Sequence, residues 1–139
     1  MIRTLLEPKA EFAYLLLRVV AGVMFAFHGA QKLFGLLSDF QPAAGTQLWF
    51  GGVIEFVAGA AIAVGFLTTW GAFVASGEMA VAYVQFHWRL DLGPRLLPAV
   101  NQGELALLYA FIFLFVACRG AGARSLDHCF YLVRTSNKG

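Results

Sequence analysis

The chain has 139 residues, of which 60% are hydrophobic and only 13% are charged, and its formal net charge is +2. A soluble domain is about half apolar and about a quarter charged, so this composition predicts a membrane protein. The small net charge argues against nucleic-acid binding. The length allows one domain, which we expect to span residues 1–139.

Four apolar segments approach the roughly 20 residues that a helix needs to cross the hydrocarbon core. They cover about 12–34, 49–67, 70–87 and 104–118, and the last is a little short. The residues before the first segment carry charges of both signs and no small-residue cleavage site, so we expect a retained membrane helix rather than a signal peptide. The predicted fold is therefore an all-α, transmembrane four-helix bundle.

The connections between these spans differ in character. Residues 36–48 contain a proline and a glycine and predict a loop of moderate length. Only a tight turn at Thr68 and Thr69 separates the second and third spans, so these two spans should be antiparallel neighbours. Residues 89–103 are rich in proline and glycine, and predict an irregular segment that caps the bundle or lies on the membrane surface.

Basic residues predict the orientation. Four spans place both termini on one side, and most of the Lys and Arg residues belong to that side: Arg3, Lys9, Arg119, Arg124, Arg134 and Lys138. The opposite side has Arg89 and Arg95, beyond Lys32 at a helix end. The positive-inside rule then predicts that both termini are cytoplasmic.

Small residues are concentrated in the second span, at Gly51, Gly52, Ala58, Gly59, Ala61 and Gly65. Such residues let helix backbones approach closely in lipid. We expect this span to pack tightly against its neighbours.

Ionisable side chains within spans are costly in lipid, so they are expected to face the bundle interior and to pair. Depth along each span, at about 1.5 Å per residue, places Arg18 and Glu78 at similar heights towards the cytoplasmic side. Their charges are opposite. We therefore predict an Arg18–Glu78 pair.

A second polar cluster is predicted towards the outer side of the membrane. His28 and Lys32 are four residues apart and share a helix face. Glu55 enters the second span at about the height of His28, while His87 ends the third span and Glu104 begins the fourth on the same side. The candidate ligand-binding or buried polar residues are therefore His28, Lys32, Glu55, His87, Glu104, Arg18 and Glu78, with Gln85 beneath the outer group.

Each of these residues also has a structural interpretation. Arg18 can extend to the cytoplasmic surface on its long side chain, and Glu55 or Glu104 can lie at a helix N-terminus, where the dipole favours an anion. His87 also fits an interfacial belt, and His28 a satisfied core histidine. A buried salt bridge can fix helix register without taking part in chemistry.

No metal site is predicted, because His28, His87 and Glu55 have no recognised ligand spacing. Cys118 and Cys129 do not form a C-x-x-C motif and are expected to be free thiols.

Four stretches of the chain hold most of these charged and small residues: RVVAGVMFAFHGAQKLFG, GGVIEFVAGAAIAVGFLTTW, GEMAVAYVQFHW and NQGELALLYAFIFLFVACRGAGARSLD. Their order and spacing, over about residues 15–127, resemble the DoxX family of small bacterial membrane proteins. Trp70 and Gln102 depart from the usual pattern. The resemblance implies a multi-pass protein of the bacterial inner membrane with a redox-linked role, since the family takes its name from a membrane subunit linked to thiosulfate and quinone oxidation.

Three functions are compatible with these features. The first is the membrane subunit of an oxidoreductase complex, in which His28, Lys32 and Glu55 offer hydrogen bonds and protons to a quinone-like molecule and a membrane or cytoplasmic partner protein carries the other cofactor. The second is a non-enzymatic scaffold or assembly protein that docks through residues 119–139. The third is a small proton-coupled transporter, working as a homo-oligomer in the lipid bilayer.

Overall fold

A computed structural model describes residues 2–136, apart from the side chain of Arg3, and this part of the chain is helical without any strand. Lys138, one of the basic residues used to predict topology, lies outside the described residues. The helices are α1 (Ile2–Leu6), α2 (Ala10–Phe34), α3 (Gln47–Val64), α4 (Thr68–Ala82), α5 (Pro98–Asn101), α6 (Glu104–Arg119) and α7 (Leu126–Ser136). A 3-10 turn at Glu7–Lys9 joins α1 to α2, a π-helical segment at Tyr83–Trp88 continues α4, and a second 3-10 turn at Pro94–Leu96 precedes α5.

The four predicted spans correspond to α2, α3, α4 with its π-helical continuation, and α6. Within residues 2–136, two helical segments are long and apolar enough to cross a membrane by length and composition, Thr4–Phe34 and Gln47–Val64. Helix α6 has 16 residues, and α4 has 15 before its π-helical continuation. The tight turn lies at residues 65–67 rather than at Thr68 and Thr69, which already belong to α4.

Helices α2 and α3 approach each other at paired glycines. A Cβ atom added to Gly22 would lie 2.6 Å from the backbone nitrogen of Ala63 and 2.7 Å from the carbonyl oxygen of Gly59. A Cβ atom on Gly29 would lie 2.6 Å from the carbonyl oxygen of Gly52. The expectation of close backbone contact along the second span is confirmed, and this contact sets the register between the two helices.

One hydrophobic core draws on all four long helices. Helix α4 packs against α6 and α3, and the buried residues at these contacts include Ala72 and Ala75 on α4. Aromatic rings form a contact between α2 and α6. The Phe25 ring centroid lies 4.7 Å from that of Phe113 and 5.5 Å from that of Tyr109. These contacts hold the inward faces of α2, α3, α4 and α6 around a common interior.

Arg18 holds the end of α3. Its guanidinium donates hydrogen bonds to the carbonyl oxygens of Ile62 and Ala63, the latter at 3.1 Å, and to that of Arg124 at 2.9 Å. The last carbonyls of a helix lack the regular partners of the helix interior. Arg18 donates to two of them, and the Ile62 oxygen also accepts a hydrogen bond from the N–H of Gly65. The residue is 1% exposed and does not extend to the surface.

Asp127 secures the start of α4 from the other side of the turn. Its carboxylate accepts hydrogen bonds from the backbone N–H groups of Leu67 at 2.8 Å and Thr68 at 3.0 Å, while its own N–H donates to Gly65. The first N–H groups of a helix lack intrahelical acceptors, so Asp127 acts as a cap supplied by a distant helix. Arg18 and Asp127 together fix the turn between α3 and α4.

The predicted Arg18–Glu78 pair is wrong. A Cβ atom on Gly65 would lie 2.7 Å from Nη1 of Arg18, whereas one on Gly51 would lie 2.9 Å from Oε1 of Glu78. Gly51 and Gly65 are separated by about 21 Å along a helix that rises 1.5 Å per residue. The two side chains therefore lie near opposite ends of α3, and Arg18 is a structural residue.

Candidate functional site

A cavity of about 760 Å³ lies between α2, α3, α4 and α6. Most of the side chains that line it are apolar, and the polar ones are His28, Lys32, Gln47, Glu55, Glu78, His87, Gln102 and Tyr109. Small-molecule sites are commonly apolar cavities of this size, with a few polar groups that orient the ligand. This cavity is the candidate functional site.

The polar side of the cavity is built on an ion pair between α2 and α3. Nζ of Lys32 donates a hydrogen bond to Oε1 of Glu55 at 2.6 Å, and Glu55 is 3% exposed. The other carboxylate oxygen of Glu55 is buried and has no hydrogen-bond partner within the described residues. The predicted proximity of Lys32 and Glu55 is confirmed. The second carboxylate oxygen of Glu55 remains available to a bound molecule.

Glu78 faces the same cavity from α4. Glu55 lies about ten residues before Gly65, and Glu78 lies about ten residues after Thr68. Because α3 and α4 are antiparallel and rise equally per residue, the two glutamates lie at about the same height along the helices. Glu78 interacts electrostatically with both Glu55 and Lys32. Its Oε2 atom is buried and finds no hydrogen-bond partner in residues 2–136.

Tyr109 on α6 contributes a third polar atom. Its ring packs on Phe25 and Phe113, and the His28 ring meets it edge-on with centroids 6.4 Å apart. Tyr109 is 4% exposed, and its hydroxyl has no hydrogen-bond partner in the described part of the chain. Tyr109 was not among the site residues predicted from the sequence, although a tyrosine in the middle of an apolar span is a signal that a polar atom is needed there.

His87 closes one side of the cavity from the π-helical segment. Its ring stacks on Tyr83 with centroids 6.5 Å apart, and its Nδ1 lies 3.2 Å from the carbonyl oxygen of Asn101. π-Helical turns are frequent at functional sites. Here the turn directs His87 towards the segment that leads into α6.

The predicted outer cluster is thus brought together in part. His28, Lys32, Glu55 and His87 line the cavity, and Glu78, which was predicted to pair with Arg18 at a different depth, lines it as well. Glu104 does not line it: this residue is exposed in the first turn of α6, where a negative charge favours the helix dipole. Gln85 also lies outside and accepts a hydrogen bond from Gln47.

The cavity opens to the outer surface of the helix assembly between α3 and α4. Several apolar side chains that line it are largely exposed, among them Phe50 at 56%, Phe73 at 61% and Val81 at 49%. Gly51 and Gly77 also line this side and add no side chain to fill the space. A ligand entering here would pass between apolar groups before it reached the polar ones.

The residues described include no group of three or more His, Cys, Asp and Glu side chains able to hold a metal ion. Cys118 and Cys129 are free and exposed. The polar side chains that line the cavity carry carboxyl, ammonium, imidazole, phenol and amide groups, all of which form hydrogen bonds.

Two comparisons with known proteins agree with the sequence resemblance. The DoxX family model matches residues 13–88, more than half of the chain. An uncharacterized protein of Haemophilus influenzae is 36% identical over 130 residues, which cover 91% of this chain and 96% of the relative. No solved structure matches the chain. On the family match and the relative together, the chain belongs to the DoxX family.

Proposed function

We propose that this DoxX-family protein binds a quinone-like molecule in the cavity between α2, α3, α4 and α6, as the membrane subunit of a redox system. One observation carries the proposal. Glu55, Glu78 and Tyr109 all line one mostly apolar cavity, and each has a buried polar atom without a hydrogen-bond partner within residues 2–136. Buried polar groups are normally bonded, so three unbonded ones at one cavity indicate a ligand.

The groups present fit a quinone. Its ring is flat and apolar, and each of its two carbonyl oxygens accepts hydrogen bonds. The Lys32 ammonium and the Tyr109 hydroxyl can donate to those oxygens, and the Phe25 and Phe50 side chains line the cavity beside them. When bound, such a molecule would carry electrons and protons within the membrane, while the side chains of this chain orient it and exchange protons with it.

The position of the opening supports a lipid-soluble ligand. We propose that α2, α3, the 68–88 helix and α6 cross the bacterial inner membrane as a four-helix bundle with both termini in the cytoplasm. The exposed apolar side chains between α3 and α4 would then face acyl chains, since membrane-facing helix surfaces are apolar. A quinone-like molecule dissolved in the bilayer could enter the cavity without crossing water.

Lys32 and Glu55 have distinct roles in this proposal. Their ion pair joins α2 to α3, so it fixes where the Lys32 ammonium lies relative to the cavity. The remaining N–H groups of Lys32 are then available to a carbonyl oxygen. His28, one helical turn away, offers an imidazole that can form a hydrogen bond to the same molecule.

Lipid extraction tests this function. Protein purified in mild detergent should contain bound quinone, and Glu55→Gln and His28→Ala should lose most of it while remaining folded. Glu55→Gln is also expected to lower the unfolding temperature, because Lys32 loses its buried partner. Glu104→Gln is the matched control, because Glu104 is exposed and lies outside the cavity. Folded wild-type protein without quinone would contradict the proposal and favour the scaffold hypothesis.

A further inference from the structure

Two carboxyl groups and one ammonium group share the cavity. Lys32 pairs with Glu55 at 2.6 Å, and Glu78 takes part in no ion pair in the part of the chain that the structure describes. Glu78 is nevertheless within electrostatic range of both partners. If all three groups were ionised, the cavity would carry one uncompensated negative charge.

An uncompensated carboxylate is costly at this location. Atom Oε2 of Glu78 is buried, and no donor among residues 2–136 is bonded to it. Burying such a charge costs more than adding a proton to it, and a second carboxylate nearby increases the cost further. Lys32 already compensates Glu55, so the carboxyl group to be neutralised is that of Glu78.

The other titratable groups around Glu78 do not supply the missing charge through an ion pair. Those that line the same cavity are Lys32 and His28 from α2, Glu55 from α3, His87 from the π-helical segment and Tyr109 from α6. Neither histidine forms an ion pair with a carboxylate within the described ranges. His28 instead packs against Tyr109, and His87 contacts the carbonyl of Asn101.

We infer that Glu78 carries a proton at neutral pH and is the proton-exchanging carboxyl group of the cavity. This inference goes beyond the proposed function, because it holds for any uncharged occupant of the cavity. A protonated Glu78 leaves the polar side neutral overall, with Lys32 and Glu55 as an internal ion pair. It also gives the cavity a second hydroxyl donor, besides that of Tyr109, on a partly buried side chain.

Infrared spectroscopy of the full chain in lipid nanodiscs tests the inference directly. A protonated carboxylic acid has a carbonyl stretching band separate from the amide bands, and this band shifts in heavy water. The wild type should show such a band at neutral pH. Glu78→Gln should lack it, Glu78→Asp should shift its frequency, and Glu55→Asp should leave the frequency unchanged.

The Asp variants keep the test decisive even if Glu78→Gln fails to fold, because they retain both carboxyl groups. Glu104→Gln is the control and should keep the band, since Glu104 is exposed and does not line the cavity. Absence of the band from the wild type, or a shift in Glu55→Asp but not in Glu78→Asp, would overturn the inference. The spectrum is recorded without added quinone, so its outcome is independent of the lipid extraction.

Discussion

The Tyr109 ring is packed against Phe25 and Phe113, and its hydroxyl is buried without a partner among the described residues. A buried hydroxyl left unsatisfied costs roughly 1–3 kcal/mol of folding free energy. A phenylalanine would fill almost the same space without that cost. The tyrosine is therefore better explained by binding than by stability, which is the usual trade-off at functional sites.

Tyr109→Phe should separate the effect of the hydroxyl on ligand binding from its effect on stability. We expect the ligand-free variant to unfold at the same temperature as the wild type or higher, because an unsatisfied hydroxyl is removed. Its affinity for a short-chain quinone should fall about tenfold, because the variant loses one hydrogen bond that contributes about 1 kcal/mol or slightly more. Calorimetric titration and thermal unfolding measure the two effects.

Tyr131→Phe provides the comparison, because Tyr131 is 64% exposed on α7 and lies away from the cavity. Tyr131→Phe should leave both the unfolding temperature and the quinone affinity unchanged. A Tyr109→Phe protein that binds as tightly as the wild type would show that the hydroxyl has no role in the site.

Helices α2 and α3 depend on each other at their glycine contacts. A Cβ atom on Gly59 would lie 2.7 Å from the carbonyl oxygen of Gly22 and 2.8 Å from Cα of Ala26, so the helices would have to separate. A Cβ atom on Gly77 of α4 would meet nothing within 4 Å. The two glycines therefore occupy opposite environments on neighbouring helices.

Substitution of these glycines by alanine should change stability in opposite directions. Gly59→Ala should lower the free energy of unfolding by about 1–3 kcal/mol through overpacking. Gly77→Ala should raise it by up to about 1 kcal/mol, because alanine favours a helix more than glycine does. Denaturation in mixed micelles measures the free energy of unfolding of both variants. Equal changes in the two variants would contradict the close α2–α3 contact at Gly59.

Gly59→Ala should also disturb the cavity, because the same contact sets the register that brings Lys32 to Glu55. Loss of bound quinone in this variant, which retains both Lys32 and Glu55, would connect helix packing to the site.

Residues that are distant in sequence bond to each other at the end of the molecule that contains the turn between α3 and α4. Arg18 from α2 and Asp127 from α7 both bond to backbone groups around this turn, and Arg119 forms an ion pair with Glu11. The segment after α6 is therefore part of the folded unit at this end. It also places Cys118 and Cys129 on the side where the basic residues accumulate.

Thiol labelling measures the proposed orientation of the whole chain. Cys118 and Cys129 are exposed, so a membrane-impermeant maleimide should label them in inverted membrane vesicles and not in intact spheroplasts. A variant with both cysteines replaced by serine and Leu92→Cys should show the reverse, since Leu92 is 82% exposed in the opposite connection. Labelling of the native cysteines from outside would contradict cytoplasmic termini.

The positions of the four long helices, and the presence of charges within them, follow from the sequence alone. Hydropathy and helix punctuation are local properties, so α2, α3, α4 and α6 were located to within a few residues, whereas α1, α5 and α7 were not predicted and the end of the third span is π-helical. The Lys32–Glu55 contact was also predictable, because both residues lie near the same connection between two successive helices.

Tertiary structure decided which charges meet. Depth counted from the start of each span assumes that the spans begin level, but α2 extends past the turn between α3 and α4, and its Arg18 lies beside that turn. Glu78 instead lies level with Glu55, because the short turn makes residues equally distant from it face each other. Helix register depends on contacts between distant residues such as Gly22 and Gly59, and no local pattern specifies it.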